Sequence, residues 1–150
     1  MVKPVPPGGV FDGARHLYAV RVYYEDTDLS GITYHANYLR WFERARSDLL
    51  RMLKIDQREA IEGEEGAYAV SEINLKYLRP AKLDDDVVIE TTCTELGAAS
   101  CRMHQIATRD GEPLCAASLR VGFISLDGRP RRQPAEWRKA FKDFMEDNLA

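Results

Sequence analysis

Residues 21–46 read RVYYEDTDLSGITYHANYLRWFERAR, and this stretch decides the fold because it leads from a strand, through a turn, into a long helix. The strand-like run of residues 18–24 stops at an acidic segment, and Ser30-Gly31 supplies a flexible turn. Asp28 is therefore expected next to a helix N-terminus, where backbone N–H groups lack partners within the helix. A carboxylate beside a site that can hold an oxyanion suits acyl transfer.

The segment after this turn predicts one long helix over about residues 35–53. Apolar residues recur there at spacings of four, three, four and three, which is typical of one helix face. These residues are Tyr38, Phe42, Ala45, Leu49 and Met52. A second amphipathic stripe with Trp137, Phe141 and Phe144 predicts a C-terminal helix after Pro134.

Four further strand-like runs lie between the two helices. They cover about residues 68–79, 86–97, 99–109 and 114–126. Gly97-Ala98-Ala99 and Asp110-Gly111-Glu112 supply turns between them. The order of strand, long helix and four strands in a meander predicts an α+β fold: a five-stranded antiparallel sheet with the long helix covering its apolar face, plus the C-terminal helix.

The composition predicts a single domain. Prolines and glycines dominate residues 1–15, which we expect to form a flexible tail, and residues 16–150 are long enough for one core. A net charge of −3 gives no general attraction to nucleic acid. The sequence has neither a signal-like apolar segment nor an apolar run of transmembrane length, so we expect a cytoplasmic protein without membrane insertion. The cysteines and histidines are scattered, and we predict no metal site.

The turn also carries a spaced motif. Its residues are Asp26, Asp28, Gly31, Tyr34, His35 and Tyr38, in the pattern Asp-x-Asp-x-x-Gly-x-x-Tyr-His-x-x-Tyr. This pattern resembles the 4-hydroxybenzoyl-CoA thioesterase family of hotdog-fold enzymes. Residues 23–28, 42–46 and 77–85 are similar to the branch associated with the bacterial Tol-Pal system, and the resemblance spans about residues 18–126. Thr33 departs from that branch, which usually has an aliphatic residue there.

The resemblance implies a hotdog fold, in which the five-stranded antiparallel sheet is wrapped around one long central helix. It also implies hydrolysis of acyl-CoA to a free acid and CoA, without metal or redox cofactor. Asp28 would act as nucleophile or as general base, and the sequence leaves both roles open. His35 would polarise the thioester carbonyl through its backbone N–H, while its side chain orients water or assists Asp28. A buried Asp28 would have a raised pKa and be a better base.

Other residues of the motif have supporting roles in this interpretation. Gly31 permits positive φ or a close backbone approach, and Tyr34 forms a wall of the pocket. Asp26 should point away from Asp28 along an extended chain, so we assign it a structural role. Binding of the CoA phosphates requires basic side chains. The candidates are Lys76 and Arg79 first, then Lys82, Arg102 and Arg131-Arg132.

We expect a homodimer or homotetramer, with the active site at the dimer interface and residues of about 68–79 facing the partner's Asp28. Acyl carrier protein is a further candidate partner, and peripheral contact with the inner membrane is compatible with the cytoplasmic assignment. The alternative is a non-catalytic hotdog protein that binds acyl groups or serves as a scaffold in cell-envelope or phospholipid metabolism. The basic segment 129–132 and the helix containing Trp137 would suit such docking. Dehydratase or isomerase chemistry would require a different His and acid motif.

Overall fold

The computed structural model describes residues 1–149. Its strands and α-helices, in chain order, are β1 Val10–Asp12, β2 Arg15–Arg21, α1 Asn37–Met52, α2 Gln57–Glu62, β3 Ala67–Tyr77, β4 Asp86–Leu96, β5 Ser100–Arg109, β6 Glu112–Ile124 and α3 Ala135–Met145. The predicted α+β class is confirmed, and so are the long helix and the C-terminal helix. Each predicted element lies within a few residues of the observed one.

Within residues 1–149 the strands form one six-stranded sheet in the order β1-β2-β4-β5-β6-β3, with every neighbouring pair antiparallel. The prediction of five strands was therefore one too few. The additional strand β1 lies inside the segment that we predicted to be a tail. It forms a hairpin with β2 because Gly13 adopts a φ of 61°, and the Phe11 ring packs 5.5 Å from that of Phe144.

The predicted meander of the last four strands was wrong for β3. Strands β4, β5 and β6 do follow one another through short turns, but β3 pairs with β6 at the far edge of the sheet. Residues 78–85, which we call the crossover segment, connect β3 to β4.

The core lies between α1 and the concave face of the sheet. Trp41, Phe42, Ala45 and Leu49 on α1 are at most 2% exposed. Leu119 and Phe123 on β6 are 1% exposed, and α3 adds Phe141 and Phe144 with no exposure. Fully burying side chains of this size stabilises the fold by about 1.5–3 kcal/mol each, before the loss of conformational entropy is counted. The helix is thus fixed in place on the sheet.

A buried polar pair attaches the N-terminal segment to α1. His16 on β2 is fully buried, and its Nε2 lies 2.7 Å from Oδ2 of Asp48. The Gly9 backbone N–H donates to the same oxygen at 2.9 Å. Burial lowers the pKa of His16 more than the neighbouring Asp48 carboxylate raises it. Neutral His16 therefore donates Nε2–H to Asp48.

Strand β3 forms one edge of the sheet. In the part of the chain that the structure describes, it pairs with β6 alone, so its outer edge has no neighbour. Several apolar side chains near this edge remain exposed: Val70 by 44%, Ile73 by 38%, Tyr77 by 50% and Leu78 by 54%. A long edge with exposed apolar residues is a surface on which another strand can add.

Candidate active site

The loop between β2 and α1 is held in shape by Asp26. Its Oδ2 accepts the backbone N–H of Tyr23 at 2.9 Å, and its Oδ1 accepts Nδ2–H of Asn37 at 2.6 Å. The backbone carbonyl of Asp26 accepts the N–H of Tyr34 at 2.8 Å. Both carboxylate oxygens are used for structure, as the sequence analysis expected. Asp26 thereby joins the start of the loop to the first residue of α1.

Asp28 lies at the tip of the same loop and is exposed to solvent. Its Oδ1 accepts the backbone N–H of Ser30 at 2.8 Å and the Ser30 hydroxyl at 2.5 Å. These bonds stabilise the charged form, and the Ser30 hydroxyl is the main reason that the pKa of Asp28 is lowered. The expectation of a buried carboxylate with a raised pKa does not hold in the single chain. Oδ2 has no hydrogen-bond partner within residues 1–149, so one oxygen is available for chemistry.

The predicted positive φ of Gly31 is confirmed. Its φ is 81°, and a Cβ added there would meet no atom within 4 Å. The requirement for glycine thus comes from the backbone conformation and not from a lack of space. Gly31 donates its N–H to the Asp28 carbonyl at 3.2 Å, and its own carbonyl accepts the N–H of Leu83 at 3.2 Å.

The backbone of His35 presents a free donor at the start of α1. The Tyr34 carbonyl accepts the N–H of Asn37 at 2.9 Å. The N–H of His35 belongs to the same trans peptide and so points the opposite way, away from the helix. Among the described residues this N–H has no acceptor. The His35 carbonyl accepts the Tyr77 hydroxyl at 2.8 Å, which fixes the next peptide as well.

The side chains around His35 are aromatic. The His35 ring lies 4.5 Å from that of Tyr34 and 6.2 Å from that of Tyr77, measured between ring centroids. Tyr34 is 48% exposed, and its place on a pocket wall stays a prediction. No hydrogen bond joins the His35 side chain to Asp28 within residues 1–149. Tyr77 was not among the predicted site residues. Side chains alternate along β3, so Tyr77 faces the side of the sheet opposite to that of the predicted residue Lys76.

The crossover segment is hydrogen-bonded to the loop that carries Asp28. Thr33 donates its N–H to the Ala81 carbonyl at 2.8 Å, and Ile32 forms a bridge with Lys82. The Ala81 N–H donates to the Tyr38 hydroxyl at 3.1 Å. Thr33 is only 5% exposed, so the hydroxyl that departs from the family pattern lies in the interior of the loop.

The structure brings some of the predicted basic residues to the loop and leaves others apart. Lys82 lies close to Gly31, because Lys82 forms a β-bridge with Ile32 and the next residue, Leu83, donates its N–H to the Gly31 carbonyl. Lys76 faces the convex side of the sheet, because side chains alternate along β3 and Tyr77 faces the helix side. Arg79 is exposed beyond the end of β3 and pairs with Glu112 at 3.2 Å. Within one chain, Lys76 and Arg79 do not contact Asp28.

Two general observations complete the description of the surface. Across residues 1–149, no three His, Cys, Asp or Glu side chains form a group suited to hold a metal ion. None of the helices in this range has both the length and the apolar character that a membrane-crossing helix needs.

Comparison with known proteins agrees with this architecture. The model of the thioesterase superfamily, 4HBT, matches residues 30–116. A curated relative, the acyl-CoA thioesterase YbgC of Haemophilus influenzae, is 38% identical over 125 residues, which cover 83% of this chain and 92% of the relative. The acyl-CoA thioester hydrolase YbgC of Escherichia coli is 36% identical over 127 residues, covering 83% and 94%.

Solved structures show the same fold. A probable thioesterase from Bartonella henselae superposes with a TM-score of 0.76 at 35% identity, covering 80% of this chain and 99% of that one. DHNA-CoA thioesterase from Staphylococcus aureus superposes with a TM-score of 0.79 at 22% identity, covering 86% and 89%, and supports the fold alone. The chain belongs to the thioesterase superfamily and has its hotdog fold, as the sequence motif predicted.

Proposed function

We propose that this protein hydrolyses the thioester bond of acyl-CoA to give a free acid and CoA. The proposal rests on membership in the thioesterase superfamily and on relatives that are themselves named acyl-CoA thioesterases. The observation that carries it is that one loop holds two groups without a hydrogen-bond partner among the described residues: the Oδ2 oxygen of Asp28 and the backbone N–H of His35. Such a pair supplies a base or nucleophile and a donor for the carbonyl oxygen.

In this mechanism the thioester carbonyl oxygen accepts a hydrogen bond from the N–H of His35, with the positive end of the α1 dipole behind it. Asp28 either takes a proton from the attacking water or attacks the carbonyl carbon itself. In the first case the water oxygen bonds to the carbonyl carbon, the C–S bond breaks, and the CoA thiolate leaves with the acid as the other product. In the second case the C–S bond breaks and the CoA thiolate leaves as the mixed anhydride with Asp28 forms, and water then hydrolyses the anhydride to the acid and free Asp28. A positioned base contributes about 100- to 10,000-fold to the rate. His35 assists through its side chain only if that side chain turns towards bound water.

A second copy of the chain completes the site in our proposal. The free edge of β3 pairs with β3 of a two-fold related chain, which extends the sheet and covers the exposed apolar residues. Tyr77 lies on this strand and bonds to His35, so the site adjoins the new interface. Substrate binding excludes water from Asp28 and moves its pKa upwards, towards the value of a better base.

The CoA portion would lie outside this interface, where its phosphates meet basic side chains. Lys82 is the basic candidate that the loop itself holds near Gly31. Lys76 and Arg79 remain proposed substrate-binding residues, reached by the long CoA moiety or contributed across the dimer. Acyl carrier protein, which presents the same phosphopantetheine thioester, is an alternative acyl donor. We place the reaction in the cytoplasm, and peripheral contact of the enzyme with the inner membrane is compatible with this proposal.

The test is the release of free thiol from acyl-CoA substrates of increasing chain length and from benzoyl-type substrates. Asp28→Asn should lower kcat by at least about 100-fold while leaving the thermal unfolding temperature unchanged. Glu25→Gln is the matched control, because Glu25 is an exposed acid on the same loop. Wild-type turnover that persists in Asp28→Asn would disprove the role of Asp28. Absence of turnover with both CoA and carrier-protein thioesters would instead favour a non-catalytic acyl-binding or scaffold protein.

A further inference from the structure

A cavity of about 320 Å³ lies on the concave face of the sheet, away from the Asp28 loop. Its walls come from the middle of α1, the first residues of β3, strands β5 and β6, and α3. The lining is mixed: it includes the apolar residues Leu50, Val70, Met103 and Phe141 and the polar or charged residues Glu43, Arg46, Ser47 and Gln57. The cavity is open at the edge of β3, where Val70 is 44% exposed. A cavity of this size that combines apolar walls with polar groups can bind a small organic group that carries a polar end.

Arg46 supplies the unusual polar feature of this cavity. Its guanidinium donates to Oε1 of Gln105 at 2.9 Å. Gln105 is itself fully buried and fixed, because its Nε2 donates to the Phe42 carbonyl and to Oγ1 of Thr91, both at 3.0 Å. The Gln105 oxygen is thus held towards Arg46. A guanidinium has five N–H donors, so most of those on Arg46 remain unused by this contact.

Within residues 1–149, Arg46 forms no close ion pair with an acid. Over residues 1–149, no carboxylate oxygen lies within 4.0 Å of its guanidinium. Glu43 lines the same cavity one turn earlier on α1, but it is exposed and outside that distance. Burial lowers the pKa of Arg46, and the nearby charge of Glu43 offsets part of this effect. Arg46 is only half-buried, and its one hydrogen-bond partner within residues 1–149 is a neutral amide, so the guanidinium keeps the capacity to bind an anion.

We infer that this cavity receives an acyl group that ends in a carboxylate, and that Arg46 binds this carboxylate. The guanidinium offers the planar pair of donors that a carboxylate accepts, and the apolar walls contact the methylene chain. The inference rests on the proposed thioesterase function and narrows it to acyl-CoA substrates derived from dicarboxylic acids. Arg46 is then a specificity residue and takes no part in bond cleavage.

The two-fold pairing proposed for β3 connects this cavity to a reaction site. If residues 67–77 pair with the same residues of the partner in antiparallel order, the start of one strand lies beside the end of the other. The cavity borders the start of β3, at Tyr68 to Val70, and Tyr77 at its end bonds to His35. The thioester on one chain would therefore direct its acyl group towards Arg46 of the partner chain.

The experiment compares matched substrate pairs that differ only at the far end of the chain. The pairs are hexanoyl-CoA with adipoyl-CoA, octanoyl-CoA with suberoyl-CoA, and decanoyl-CoA with sebacoyl-CoA. For at least one pair, the wild type should show a kcat/KM for the carboxylate-ended substrate that is about 10- to 100-fold higher. Arg46→Gln should reduce this ratio to near one, and Arg46→Lys, which keeps the charge, should retain part of it.

Cys101→Ala is the matched control, because the Cys101 thiol lines the same cavity and, like Glu43, lies near Arg46. The ratio should survive this change. Three results would each overturn the inference while leaving the thioesterase function intact. The wild type could prefer the methyl-ended substrates. Alternatively, the preference for carboxylate-ended substrates could persist in Arg46→Gln or be lost in Cys101→Ala. If no substrate is hydrolysed, the proposed function fails, and calorimetry with free suberate and octanoate decides the inference separately. Binding of suberate that is lost in Arg46→Gln supports it, and absence of binding overturns it.

Discussion

The Tyr77 hydroxyl on β3 donates a 2.8 Å hydrogen bond to the backbone carbonyl of His35, two residues before the start of α1. This bond connects the edge strand of the sheet to the peptide that follows the proposed carbonyl-polarising N–H. The sheet edge where we expect a partner chain is therefore directly hydrogen-bonded to the loop where we expect the reaction.

Removal of this hydroxyl should impair catalysis more than folding. We expect Tyr77→Phe to lower kcat by roughly 10-fold, because the peptides around His35 lose a fixed orientation. The free energy of unfolding should change by about 1 kcal/mol or less, since the bond is exposed to water. Steady-state kinetics and urea unfolding check the two expectations. A large loss of stability with unchanged kcat would refute this positioning role.

Ser30 should set the acid limb of the pH profile. Its hydroxyl is the main cause of the lowered pKa of Asp28, so the carboxylate stays charged to lower pH than an ordinary aspartate. Ser30→Ala should move the acid limb of kcat/KM to higher pH, because Asp28 then gains its proton sooner. The profile is measured with a substrate that is itself stable in acid. An acid limb that stays in place would show that another group controls it.

The buried His16 should make stability depend on pH. Its pKa in the folded chain lies below the unfolded value of about 6.5, so the unfolded chain binds more protons between the two values. The free energy of unfolding should consequently fall as the pH drops below about 6.5. Thermal melts from pH 7.5 to pH 5 measure this, and His16→Gln should flatten the dependence in this range. An equally steep dependence in the variant would rule out His16 as the source.

Disruption of the β3 edge should separate the subunits. Ile73→Glu places like charges opposite or close to each other when two β3 strands pair, which is destabilising across strands. We expect the variant to be monomeric by light scattering and to lose most of its thioesterase activity. Val10→Glu is the control, because Val10 is 58% exposed on β1 at the opposite edge of the sheet. A dimer that persists in Ile73→Glu would exclude pairing through β3.

The sequence predicted more of the local structure than of its three-dimensional arrangement. The periodicity of Tyr38, Phe42, Ala45 and Leu49 located α1, and Asp110-Gly111 located a hairpin, because both signals are short in range. The position of β3 depends on pairing between residues that are distant in the chain, and no local signal specifies it. The spacing of the motif pointed to the loop of Asp28 and His35. Neither Tyr77 nor the Arg46–Gln105 pair could be found that way, since each contact joins separate elements.

The free N–H of His35 has a consequence for how this family varies. A main-chain donor belongs to every residue type except proline, so the side chain at position 35 can change during evolution while the donor persists. Alanine scanning would likewise pass over it. Chemical replacement of the amide by an ester, or insertion of proline, is needed to delete the group. The identity of residue 35 is thus weaker evidence for activity than the shape of the loop that surrounds it.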